Sequence, residues 1–124
     1  MKVAISSAGK DLTSPIDPRF GRCAYFVIVD TETMEAQGYE NPGALAGTGA
    51  GVAAAQLVAN GGAEAVISKV LGPYSFAALR EGDITAYTGA SGTVKDAVEQ
   101  FNNGELEVLA DANAEADAGS KRRG

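Results

Sequence analysis

The run Tyr25-Phe26-Val27-Ile28-Val29-Asp30 constrains this chain more than any other stretch. Successive side chains of a strand point to opposite faces, so an unbroken apolar run needs cover on both. A sheet with a layer on each side is therefore required, and the flanking segments can supply it. Lys2-Val3-Ala4-Ile5 and residues 63–68, with Ala65-Val66-Ile67 at their centre, read as two more buried strands. Residues 36–40 form a weaker strand that closes a hairpin, and Ile84-Thr85-Ala86-Tyr87 is short and rich in β-formers.

Helical spacing fills the gaps. Val52, Ala55, Gln56, Val58 and Ala59 run to the stop signal Asn60-Gly61-Gly62. Gly72-Pro73 turns the chain out of a strand and into a short helix, with Phe76 and Leu79 on one face. Val94, Ala97, Val98 and Phe101 share one face of a last helix over residues 93–102. The order β, β, β, α, β, α, β, α predicts an α/β fold: a mixed five-stranded sheet with an N-terminal antiparallel hairpin and helices on both faces. Residues 105–109 have room to pack briefly. Residues 110–124 are rich in Ala, Asp, Asn and Glu and end in Lys121-Arg122-Arg123-Gly124, so the reading is one domain over 1–109 and a flexible tail over 110–124.

Composition excludes several chemistries. The chain has no histidine, which removes Ser-His-Asp and Cys-His catalysis and any imidazole metal ligand. The lone Cys23 excludes an internal disulfide and a multi-cysteine metal site built by one chain. The first strand and the Ala65-Val66-Ile67 strand carry no acid, so the carboxylate cluster of a two-metal nuclease is missing. A net charge of −6 disfavours nucleic acid and anionic membranes as partners. Met1-Lys2 leads into a strand with no apolar leader, and the expected location is cytoplasmic.

Against that acidic background, cations and glycine loops gather at strand exits. Arg19 and Arg22 flank Gly21 just before the buried strand. They either line a pocket mouth and hold an anion, or one of them pairs with Asp17 or Asp11 at the surface. Cys23 is either a small buried hydrophobe or, beside two arginines, a soft ligand. Gly47, Gly49 and Gly51 complete neither a dinucleotide fingerprint nor a phosphate-binding loop. They read as a plain connection or as a flap that lets a bulky ligand approach the backbone. Gly89 and Ser91-Gly92-Thr93 precede a helix whose N–H groups would attract negative charge, although Ser91 and Thr93 can equally serve as caps. Two such loops side by side make a pocket for something anionic.

The phrase Asp17-Pro18-Arg19-Phe20-Gly21-Arg22-Cys23-Ala24-Tyr25-Phe26 resembles the dinitrogenase iron–molybdenum cofactor biosynthesis family. So do Gly61-Gly62-Ala63-Glu64-Ala65-Val66-Ile67, Gly72-Pro73 and Gly89-Ala90-Ser91-Gly92-Thr93-Val94, at comparable spacing over residues 1–109. Within the family the chain is most similar to the small stand-alone members, the orange proteins of sulfate-reducing bacteria. The resemblance implies a ribonuclease H-like three-layer fold without nuclease activity. It also implies a non-catalytic carrier of an anionic molybdenum-containing sulfide cluster, of molybdenum–copper or iron–molybdenum type, held noncovalently. Many relatives place a histidine before the first long helix, whereas here that loop is Ala46-Gly47-Thr48-Gly49-Ala50-Gly51.

The expected site is formed by Arg19, Gly21, Arg22, Cys23, Gly47, Thr48, Gly49, Gly72, Pro73, Ser91, Gly92 and Thr93, with Cys23 as the one good soft metal ligand and Met1 and Met34 as weak ones. Phe20, Leu71 and Tyr74 are expected to form an apolar rim. The carrier would work as a monomer and hand its cluster to a protein partner. The rival expectation is a metal-free protein–protein adaptor of the same fold.

Overall fold

In the computed structural model, which describes residues 1–45 and 49–113, the apolar run becomes strand β2, Tyr25–Asp30. The other strands are β1 (Lys2–Ser7), β3 (Ala36–Glu40), β4 (Ala65–Ile67), β5 (Thr85–Thr88) and β6 (Glu107–Val108). Helices α1 (Ala50–Asn60), α2 (Pro73–Glu81) and α3 (Val94–Asn102) alternate with them, and a 3-10 turn occupies Pro42–Leu45.

The sheet order is β3-β2-β1-β4-β5-β6. β2 is antiparallel to both neighbours, with Val3 opposite Val29 and Val27 opposite Gly38. β1, β4 and β5 run parallel, Ala4 lying beside Val66 and Val66 beside Ala86. The five expected strands are present in the expected order. A sixth, two-residue strand adds to the expected sheet: Glu107 and Val108 pair antiparallel with Thr88 and Tyr87.

Both faces of β2 are covered, as its composition demands. Phe26 and Ile28 share one face with Ala4, Val66 and Ala86, where Ala54, Ala55 and Val58 of α1 and Phe76 and Leu79 of α2 pack on them. Val27 and Val29 join Val3, Ile5, Ala65 and Ile67 on the other face, under Val94, Ala97 and Val98 of α3. The result is a three-layer, ribonuclease H-like α/β fold.

Because β1, β4 and β5 are parallel, their C-terminal ends lie along one edge. The loops that follow Ser7, Ile67 and Thr88 all leave from that edge. Helices α2 and α3 begin there as well. α1 starts at the same edge and runs back, ending where Gly61 packs on the Ile28 side chain. Every helix N-terminus in the described residues therefore sits at the edge to which the sequence assigns the site.

The chain does not leave the fold at residue 109. The Leu109 N–H donates to the Ala86 carbonyl at 2.9 Å, and Leu109 and Ala112 pack against the α1–α2 layer. Asn113 then bonds to residues 69 and 71. Residues 110–113, expected in the tail, are a docked strap.

Candidate functional site

The long loop after β1 is fixed by small buried hydroxyls. Ser6 Oγ donates to the Asp17 carbonyl at 2.6 Å and lies 2.8 Å from Ser68 Oγ, which reaches the Pro18 carbonyl at 3.3 Å. The Asp17 N–H returns a bond to the Ser6 carbonyl at 2.8 Å. The Phe20 ring enters the core, fully buried and 5.0 Å from the Phe26 ring in a tilted pair. Anchoring at Phe20 leaves its neighbours Arg19 and Arg22 exposed.

Arg19 makes the surface pairing with Asp17 that one sequence reading expected. The Asp17 carboxylate accepts from the Arg19 backbone N–H at 2.9 Å and lies 3.7 Å from its Nε. The Arg19 side chain is 50% exposed, however, and a pair of that kind in water holds the guanidinium only weakly.

Cys23 is enclosed. Its side chain is fully buried, and Sγ donates to the Phe20 carbonyl at 3.4 Å. Burial pushes its pKa up to about 12, so the thiol stays protonated at neutral pH. Asn41, which follows β3 and precedes Pro42-Gly43, holds this region. Its Nδ2 donates to the Cys23 carbonyl at 2.9 Å and to the Gly21 carbonyl at 3.2 Å, while its Oδ1 accepts the Gly43 N–H at 2.9 Å.

Two helix starts meet this loop. α1 begins at Gly49, whose φ of 84° is left-handed, and no side chain caps the helix. α2 begins at Gly72 with Pro73 in its first turn, again with no side-chain cap. A Cβ on Gly51 would overlap the Ser75 hydroxyl, and one on Gly21 would lie 3.4 Å from the Gly51 Cα. Glycine at 51 thus lets α1 and α2 come close, while Gly21 lies in ordinary contact with the start of α1.

The third helix start is occupied. Thr93 accepts from the Asp96 N–H at 3.2 Å, and the Asp96 carboxylate accepts from the Thr93 N–H at 3.0 Å, completing a capping box. These bonds from Thr93 hold the Asp96 carboxyl below its ordinary pKa. The Val94 and Lys95 N–H groups donate to the Ser14 and Leu12 carbonyls at 2.9 and 2.8 Å. Gln100 brackets Ser91, accepting from its N–H and donating to its carbonyl, both at 3.1 Å.

The structure therefore sorts the expected site residues. Arg19, Gly21 and Arg22 share one loop with Cys23 beneath it, and Gly49, Gly72 and Pro73 open the two helices beside that loop. Ser91, Gly92 and Thr93 lie at the same edge, but on the α3 layer and engaged with residues 12–16. Gly47 and Thr48 lie outside the described residues. Of the expected apolar rim, Phe20 and Leu71 are core residues, and only Tyr74, 67% exposed, stands at the surface. Among the described residues no three His, Cys, Asp or Glu side chains gather to hold a metal ion. The donor set is backbone N–H and guanidinium, which suits an anion with outer sulfide or oxide atoms rather than a bare cation.

Known proteins share this fold. The structure of the apo form of the orange protein from Desulfovibrio gigas superposes with a TM-score of 0.86 at 37% identity, covering 90% of this chain and 95% of that one. A candidate NifB protein from Thermotoga, solved by NMR, matches with a TM-score of 0.76 at 38% identity over 87% of this chain and 92% of its own. An uncharacterized protein of Methanocaldococcus jannaschii is 30% identical over 110 residues, 86% of this chain and 90% of that protein. Among the described residues no helix is long and apolar enough to cross a membrane. Residues 1–104 match the family described as dinitrogenase iron-molybdenum cofactor, and the chain belongs to that family.

Proposed function

We propose that this chain is a non-catalytic carrier whose cargo is an anionic molybdenum-containing sulfide cluster, bound without a covalent ligand. The observation that carries the reading is the meeting of two glycine-led helix starts, neither capped by a side chain, with the Arg19–Arg22 loop. Helix N-termini attract negative charge, and arginine adds charge-assisted hydrogen bonds to the outer atoms of such a cluster. The likeness to an orange protein and to a candidate NifB protein favours a molybdenum–sulfide cargo over a simple oxyanion, and copper or iron would be the second metal.

The cargo contacts in this reading are Arg19, Gly21, Arg22, Gly49, Gly72 and Pro73, with Gly47 and Thr48 on the adjoining loop. Cys23 serves the packing beneath the loop, because coordination would require deprotonating a buried thiol. Ser91, Gly92 and Thr93 shape the neighbouring edge. Delivery would bring a protein partner to the rim, where Tyr74 and Val52 are the exposed apolar residues.

Reconstitution with tetrathiomolybdate and copper, followed by visible absorption, tests this. Charge-assisted hydrogen bonds contribute roughly 1.5–3 kcal/mol each, so Arg19→Ala and Arg22→Ala should each weaken retention about tenfold or more. Cys23→Ala should retain the colour. Full retention by the double arginine variant refutes the electrostatic reading. Natively purified protein that lacks molybdenum but holds a stable partner would favour the adaptor instead.

A further inference from the structure

The docked strap bears on the site through one side chain. Residues 69–71 form a short extended stretch with a partner on each side. On one side the Val70 N–H donates to the Pro18 carbonyl at 2.7 Å, and the Val70 carbonyl accepts from the Phe20 N–H at 3.1 Å, which pairs Arg19 with Val70. On the other side stands Asn113. Its Oδ1 accepts the Leu71 N–H at 2.8 Å, its Nδ2 donates to the Lys69 carbonyl at 2.7 Å, and its own N–H donates to the Leu71 carbonyl at 3.1 Å. The next residue is Gly72, the N-cap of α2. One asparagine therefore fills the outer side of the stretch whose inner side sets Arg19 and whose end opens α2.

We propose that Asn113 is a positioning residue for the cargo site, coupling the docked C-terminal strap to the grip on the cluster. The proposal rests on the carrier reading. Alanine at 113 would keep the backbone bond to Leu71 but leave the Leu71 N–H and the Lys69 carbonyl without their side-chain partner. Leu71 is fully buried, so its amide would be costly to leave unpaired, and the stretch would shift to repair it. Such a shift moves Arg19 and Gly72 together.

The test compares wild type, Asn113→Ala and Asn113→Gln in the full chain, each loaded with tetrathiomolybdate and copper. Its readouts are Leu71 amide exchange, the rise in Tm on loading, and the rate at which the visible absorption is lost. Asn113→Ala should exchange Leu71 faster, show a smaller rise in Tm and release the cluster about tenfold faster, as expected from one poorly replaced buried hydrogen bond. Asn113→Gln, which carries the same donor and acceptor, should recover part of all three. A purely structural role would lower the Tm of empty and loaded protein equally. An unchanged loading shift and release rate in Asn113→Ala, with faster Leu71 exchange, would overturn the proposal. A wild-type protein that takes up no cluster would overturn the carrier reading itself, before any variant is compared.

Discussion

Replacing Asn41 by alanine isolates what holds the Arg19–Cys23 loop in place. The substitution removes four hydrogen bonds: to the carbonyls of Cys23 and Gly21, to the Cys23 sulfur at 3.7 Å, and from the Gly43 N–H. Cys23 and Gly43 are buried, so their groups lose a partner where water does not replace it, at roughly 1–3 kcal/mol each. Gly21 is half-exposed, and its carbonyl can turn to solvent. The sum, about 2–6 kcal/mol, is a large part of the roughly 5–15 kcal/mol that holds a domain of this kind together. In urea at pH 7 the midpoint should fall by about 1–3 M with the slope unchanged. Asn41→Asp sharpens the test, since it keeps the acceptor for Gly43 but turns an oxygen toward two carbonyls. Burial and those carbonyls raise the folded pKa of the introduced carboxyl above its unfolded value of about 3.9. Its penalty relative to wild type is therefore small at low pH and grows as pH rises through that interval, because protonation restores one O–H donor. An Asn41→Ala cost below about 1 kcal/mol, or an Asn41→Asp penalty that does not grow with pH, would refute the role given to Asn41.

The same region predicts an alkaline limit. The pKa of Cys23 rises on folding from 9.0 to about 12, so its contribution to stability is whole below pH 9 and is lost as pH climbs toward 12. Tm measured from pH 8 to 11 should fall more steeply in wild type than in Cys23→Ala, and equal slopes would contradict the burial of the thiol. At Gly51, alanine would gain about 1 kcal/mol of helix propensity, yet its Cβ would overlap the Ser75 hydroxyl. Overpacking of roughly 1–3 kcal/mol should win, and adding Ser75→Ala should recover part of the loss in chemical denaturation; a neutral or stabilising Gly51→Ala would show that α1 and α2 do not approach this closely.

Most of the frame was legible because it rests on periodicity. The two-sided burial of β2 followed from its unbroken apolar run, and the faces of α2 and α3 followed from Phe76, Leu79, Val94, Ala97 and Val98. What stayed hidden depends on partners distant in sequence. Asn41 is a breaker by local rules, and only the fold brings it to Gly21 and Cys23. Asn113 sits in a polar run with no periodicity, and its bonds reach back more than forty residues to Lys69 and Leu71. β6 is two exposed residues long, too short to show alternation. Phe20 and Leu71, each close to glycine, had no local pattern to tell core from rim. Capping and anion binding use the same amides, so Ser91-Gly92-Thr93 could be read either way until Asp96, Ser14 and Leu12 were seen to fill α3.

The near-contact of Gly21 with Gly51, and of Gly51 with Ser75, has a consequence for how the molecule comes into being. No stretch of chain shorter than the span from Arg19 to Ser75 contains all three walls, and they meet only in the folded chain. If the chain is the carrier proposed above, a nascent or unravelled polypeptide would have nowhere to seat a guest. Loading would then be a reward for completed folding, and melting would be discharge.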